Sequence, residues 1–247
     1  MSDITFAPSP LIEALIDIQV ETDSNLPLDI FAQLNSLDSE RFPIPLPMVD
    51  VELRGQNDPW IDPTVLRTES GFIFYSADTL TSFQSRRKQF VFVHYAPYPR
   101  WEEFRADALR WWQHYREQVQ PSRITRVAMR YTNRLMVPIP TGPLNEYVNI
   151  GPAIPNEIAA RSIAAFTMQL QISLNDIDAQ AVITQQLLPP EENKFPILLD
   201  FDVYRETDTV PQDDEALWNL LDQFRDRRND LYHSSLTDKM RALIAKG

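Results

Sequence analysis

Residues 166–174 read Phe-Thr-Met-Gln-Leu-Gln-Ile-Ser-Leu, with an apolar side chain at every second position. Successive side chains of an extended backbone leave on opposite sides, so this period of two predicts a strand with one core face and one wet face. Residues 10–21 repeat the pattern, Ile12, Ala14, Ile16, Ile18 and Val20 alternating with Glu13, Asp17, Gln19 and Glu21. Strands buried on one side suit antiparallel sheet. Further strands are expected at 48–54, at 64–69 and 72–76 joined by Ser70-Gly71, and at 89–96, 124–137, 180–188 and 196–205.

Helical spacing is rarer. Trp101, Phe104, Ala108, Trp111 or Trp112, Tyr115 and Val119 recur at i, i+3, i+4 through 100–120, and Pro121 stops the run. A second helix is expected from Pro211, which suits a first helical position, through Leu217, Leu220, Leu221, Phe224 and Leu231 to about Tyr232. Its early Asp213, Asp214 and Glu215 and late Arg225, Arg227 and Arg228 complement the helix dipole. Shorter helices are expected at 27–38 and 237–245.

Residues 64–120 thus read strand, strand, strand, long helix, and residues 163–232 read the same. The expected fold is α+β with two similar halves, each an antiparallel β-meander packed against a long α-helix. An N-terminal half, 1–137, and a C-terminal half, 138–247, would form one body by internal duplication. The proline-bearing segment 138–156 would connect them, and Pro43, Pro45 and Pro47 form another stiff stretch. At 247 residues the chain is long enough for either one domain or two half-domains around a substantial core.

Composition removes several function classes. With no cysteine there is no disulfide, thiol nucleophile or thiolate zinc site, and three scattered histidines make a histidine metal site improbable. Five glycines, none in a phosphate-cradling arrangement, leave no Walker or Rossmann loop. No cofactor is expected. Met1-Ser2-Asp3 is not followed by an apolar run, and no stretch approaches the roughly 18 apolar residues of a membrane span. A cytoplasmic protein that engages no membrane is expected.

Pro10-Leu11-Ile12-Glu13-Ala14, Arg130-Tyr131-Thr132-Asn133, Pro143-Leu144 with Glu146-Tyr147, and Asn229 with Leu236-Thr237-Asp238-Lys239 span nearly the whole chain. In these motifs the sequence resembles a sporadically distributed, uncharacterised bacterial protein family of about this length, with Thr132 standing where an apolar residue would be expected. The resemblance implies a compact α+β protein with no established activity, distributed as mobile or defence-associated genes are. It designates no catalytic residue.

Charge is segregated along the chain. Residues 86–134 carry 11 basic and four acidic residues, net +7, leaving −19 on the remainder of a chain of net charge −12. Arg126, Arg130 and Arg134 lie four apart and so share one strand face, while Glu13, Asp17 and Glu21 have the same spacing on the first strand. If the two strands are neighbours, cross-strand ion pairs would fix their register. Alternatively, the arginine face would receive phosphate, nucleic acid or an acidic partner, a role that the guanidinium fork suits. Nucleic acid is disfavoured by the net charge.

Arg126, Arg130, Arg134, Glu13, Tyr131, Asn133, Trp111 and Trp112 form the candidate binding set. The adjacent indoles point about 100° apart on a helix, so one is expected to meet a second surface, in the other half or in a partner subunit. Two alternative chemistries remain. Arg228 and His233 match the R-x4-H spacing of HEPN-type ribonucleases, and Asp200 with Asp202 could hold Mg²⁺ from a strand. The HEPN context is an all-helical bundle, whereas this chain reads mostly as strand. His94 and His114 read as ordinary polar face residues. The favoured function is a non-enzymatic interaction or regulatory protein with a protein partner or a second copy. The resemblance adds a setting, a bacterial defence or mobile-element system. The alternative is a nucleic-acid-acting enzyme.

Overall fold

Among the described residues nine strands form where β-branched and aromatic residues concentrate between turns. They are β1 (Leu11–Glu21), β2 (Pro45–Arg54), β3 (Thr64–Tyr75), β4 (Thr81–Arg86), β5 (Gln89–Tyr95), β6 (Arg123–Pro138), β7 (Phe166–Leu174), β8 (Ala179–Leu187) and β9 (Lys194–Glu206). The computed structural model describes residues 9–54, 64–139, 143–152, 155, 165–206 and 208–246, with residues 53, 54 and 64 as backbone. Met1-Ser2-Asp3 and parts of the 138–156 connector, Pro140 among them, lie outside the described residues.

The strands make a single antiparallel sheet in the order β2-β3-β4-β5-β1-β6-β9-β8-β7. Four helices occur among the described residues: α1 (Asp29–Ala32), α2 (Trp101–Val119), α3 (Asp214–Ser235) and α4 (Asp238–Ile244). This corrects the expected architecture of two halves, each a meander packed on its own long helix. The physical reason lies in β6, which neighbours β1 of the expected N-terminal half on one side and β9 of the expected C-terminal half on the other, so the strands of both run on in one sheet.

Contacts divide the chain into two units. The first holds Asp17–His94 and Arg100–Arg126. The sequence suggested a break at Ser70-Gly71, but β3 runs unbroken from Thr64 to Tyr75. Met48 pairs with Gly71 and Val49 with Glu69, so Ser70 is the extra residue of a β-bulge. Gly71 has φ of 153°, and a Cβ there would stand 2.2 Å from the Ser85 carbonyl oxygen and 2.6 Å from Arg86 Cα. Only glycine allows β3 and β4 to approach at this point. β4 itself escaped the sequence reading because Thr-Ser-Phe-Gln-Ser-Arg offers a single aromatic and no apolar alternation.

α2 packs its aromatic stripe within the same unit. Trp112 meets Phe90 and Tyr115, while Trp111 stacks on Phe83 at 4.4 Å and meets Phe42 edge-on at 4.9 Å. Both indoles are buried, so neither is the exposed one expected at a second interface. The extra surface is local: Phe42 closes the far side of Trp111, held there by the turn that follows α1. Arg41 beside it is bonded to both carboxylate oxygens of Asp107. α2 ends at Val119, where Gln120 takes a left-handed conformation ahead of Pro121.

The second unit holds Met1–Ile16, Tyr95–Pro99 and Val127–Gly247. Its core gathers Leu135, Val137, Ile183, Leu187, Ile197, Leu199 and Phe201 from the sheet against Tyr232, Leu236, Met240 and Ile244. α3 begins at Asp214 rather than near Pro211, because the Asp213 carboxylate accepts the Ala216 amide proton at 2.8 Å and caps the first turn. Thr237 caps α4 in the same way through the Met240 amide. β7 has the predicted bounds and a different setting. It is an edge strand whose apolar row is only half covered, with Leu170 40% exposed, so its expected core face is not core.

Candidate functional site

The even-numbered residues of β6 from Arg130 onward project from one face of the strand, opposite to buried Tyr131, Asn133, Leu135 and Val137. Two polar constellations use β6, one in each unit.

In the first unit Arg126 donates to Asp17 Oδ2 at 2.9 Å, and Gln89 donates to Asp17 Oδ1 at 2.9 Å. Arg86 donates to Gln89 Oε1 at 3.1 Å and pairs with Asp50, its second NH₂ group also reaching Ser70 Oγ at 3.2 Å. The result is an unbroken chain Asp50–Arg86–Gln89–Asp17–Arg126 carried by β2, β4, β5, β1 and β6. Asp17 is its most buried member. Burial raises its carboxyl above the usual range, opposed by the hydrogen bond from Gln89 and the charge of Arg126.

In the second unit Arg130 Nε lies 2.8 and 3.0 Å from the two oxygens of Asp200, and Thr132 donates to Asp200 Oδ1 at 3.0 Å. The hydrogen bond to Asp200 strengthens the proton affinity of the Arg130 guanidinium, with smaller contributions from Asp202 and Glu13. Arg134 pairs with Glu191. The predicted ladder between the first strand and β6 therefore forms at one rung, Asp17–Arg126, while Arg130 turns to β9 and Arg134 to the residues after β8. Glu191 has no strand context in the sequence, and nothing there announced its role.

These geometries limit the chemistry available. The oxygens of Asp200 already accept from Arg130 and Thr132, and among the described residues no group of three or more His, Cys, Asp and Glu is placed to hold a metal ion. Arg228 and His233 both lie on α3, five positions and so about 140° apart around the helix. The Arg228 guanidinium sits 3.7 Å from the centre of the Tyr131 ring.

Tyr131 and Asn133 are buried, away from the arginine face. The Tyr131 hydroxyl is 2.6 Å from that of Tyr98, and Asn133 Nδ2 donates to the Leu199 carbonyl at 3.2 Å. Burial pushes both phenols upward, so they stay protonated at neutral pH and join β6 to the segment Tyr95–Pro99 by a fixed hydrogen bond. The pairing of Tyr98 with Tyr131 had no signal in the sequence, since a tyrosine beside two prolines carries no strand or helix period. His114 is held below its ordinary pKa by burial, and its Nε2 has no partner in the core.

A different surface is conspicuous in the first unit. Among the described residues β4 pairs with β3 only from Gly71 onward, so beyond the bulge residues 49–54 and 64–69 form a two-stranded ribbon. Val49, Val51, Val65 and Leu66 are 36–60% exposed there. β2 is the end strand of the sheet, with Val49 and Val51 alternating with Asp50 and Glu52. Comparison with protein-family models, with curated proteins and with solved structures returns no match.

Proposed function

We propose that the chain is a non-enzymatic interaction protein that takes an extended, basic segment of a partner protein as an added strand along β2. The observation that carries this reading is the end strand β2, with no strand paired to its outer edge among the described residues, its valines exposed on one side while Asp50, paired with Arg86, and Glu52 line the other. Strand addition supplies backbone hydrogen bonds, and alternate side chains set specificity. Pro45 and Pro47 lack the N–H donor, which confines the pairing to residues 48–54. A segment with apolar residues on one face and Lys or Arg on the other complements this edge, and the net charge of −12 draws such a segment in. A second copy fits poorly here. Antiparallel self-pairing of β2 would set Asp50 and Glu52 against their own counterparts. The arginine-bearing constellations act in this reading as structural rungs that hold the sheet rigid behind the edge. The proposed setting, a bacterial defence or mobile-element system, rests on the resemblance set out above.

The test uses the full chain and fluorescently labelled ten-residue peptides of alternating Val and Lys or alternating Val and Glu, followed by anisotropy. The Val/Lys peptide should bind and the Val/Glu peptide should not, with binding lost in a Val51→Lys variant of unchanged circular dichroism. Equal binding of both peptides, or retention in Val51→Lys, would refute the reading.

A further inference from the structure

The opposite end of the sheet has another chemistry. β7 and its neighbour β8 pair from Phe166↔Leu187 to Leu174↔Ala179, and neither strand carries a charged residue, in a chain that is 23% charged. No strand pairs with the outer edge of β7 among the described residues. Edge strands are ordinarily blunted by lysine, proline or a bulge. β7 has none of the three across nine residues, about 30 Å of open backbone.

The sequence of that edge is also a chemical palindrome about Leu170. Read from either end, Phe166-Thr167-Met168-Gln169-Leu170-Gln171-Ile172-Ser173-Leu174 gives apolar, hydroxyl, apolar, amide, Leu, amide, apolar, hydroxyl, apolar. We infer that β7 pairs antiparallel with β7 of a second copy of this chain, in the register that sets Leu170 opposite Leu170 across a two-fold axis. Met168 then faces Ile172 of the other copy, Phe166 faces Leu174, Gln169 faces Gln171, and Thr167 faces Ser173.

Every cross-strand pair in this register is apolar with apolar, amide with amide or hydroxyl with hydroxyl, the pairings that stabilise adjacent strands. A slip by one residue would put apolar side chains against amides, and a slip by two would set Ser173 against Gln169 and shorten the pairing, so the palindromic register matches best. Charge selects the occupant. Two copies of net charge −12 repel, and an edge without charge brings no like pair together at contact, unlike β2 with its Asp50 and Glu52. A single added strand falls short of the roughly 800 Å² per partner typical of a permanent dimer, so the association depends on concentration. It also strengthens with salt, which screens the mutual repulsion.

The absence of native cysteine makes the register directly measurable. Light scattering of the full chain should give a mass rising with concentration from 28.7 kDa toward twice that value, with Leu170→Lys remaining at 28.7 kDa and keeping its circular dichroism. Facing Cα atoms in antiparallel pairs lie about 4.5–5.5 Å apart, within disulfide range. With oxidised glutathione as the oxidant, Leu170→Cys should therefore cross-link with itself. Met168→Cys and Ile172→Cys should cross-link only when mixed with each other. A mass fixed at 28.7 kDa at all concentrations, or cross-linking of Met168→Cys with itself as readily as Leu170→Cys, would overturn the inference.

Discussion

At the residue scale the decisive group is Asp17, a carboxylate taken out of water at the centre of the chain that runs from Asp50 to Arg126. An acid whose folded pKa lies above its unfolded value, near 3.9, holds its proton more tightly when folded. Its contribution to stability is therefore most favourable below the unfolded pKa and is lost as pH rises through the folded one. Arg126→Met removes one of the influences that hold that value down, so the folded pKa climbs further. Urea denaturation should show a loss of about 2–3 kcal/mol near pH 7, where Asp17 must ionise without its guanidinium, and a clearly smaller loss near pH 4.5. A pH-independent loss would mean that Arg126 matters through packing alone. The four-residue spacing of Arg126, Arg130 and Arg134 against Glu13, Asp17 and Glu21 predicts a ladder between neighbouring strands; the strands are neighbours, and Asp17–Arg126 is the rung that forms. It could not foresee the partners of Arg130 and Arg134, because Asp200 and Glu191 enter through the β6–β9 pairing and a connecting segment, and side-chain periodicity within one strand carries no information about which strand lies on its other side.

At the element scale, strong periods gave elements and weak ones did not. β1, β7 and α2 were readable because their apolar residues recur at one period over nine or more positions. β4 was not, since its stability comes from Gly71 letting β3 approach and from Phe83 filling the space beneath Trp111. Gly71→Ala should therefore cost roughly 2 kcal/mol or more and disturb β3–β4 pairing, visible as faster amide exchange at Ser85 and Arg86. The adjacent tryptophans also behave differently from what helical geometry alone suggested. Two directions 100° apart require two surfaces, and Phe42 supplies the second from within the same unit. Trp111→Ala and Trp112→Ala should each lower folding stability by about 3–5 kcal/mol in denaturant titrations, with no change in mass by light scattering. A change in mass for either one would return that indole to an interface.

At the scale of the whole molecule, the meander-then-helix order that recurs along the chain encouraged a reading as two halves, and local pattern has no means of distinguishing two sheets from one. The distinction lies in the neighbours of β6, which has β1 on one side and β9 on the other, so strands of both expected halves share one sheet. A sheet of this kind concentrates its unmet backbone hydrogen bonds at two ends, and the side chains there differ in kind: valine with acid on β2, uncharged alternation on β7. No helix among the described residues is long and apolar enough to cross a membrane. The central claim is that function resides at the free end of the sheet rather than among the arginines of its face. Amide hydrogen exchange across the chain, with and without the Val/Lys peptide, tests this most directly. The account predicts slowed exchange confined to residues 48–54, with Arg126, Arg130 and Arg134 unaffected. Protection around those arginines while β2 continues to exchange freely would contradict it.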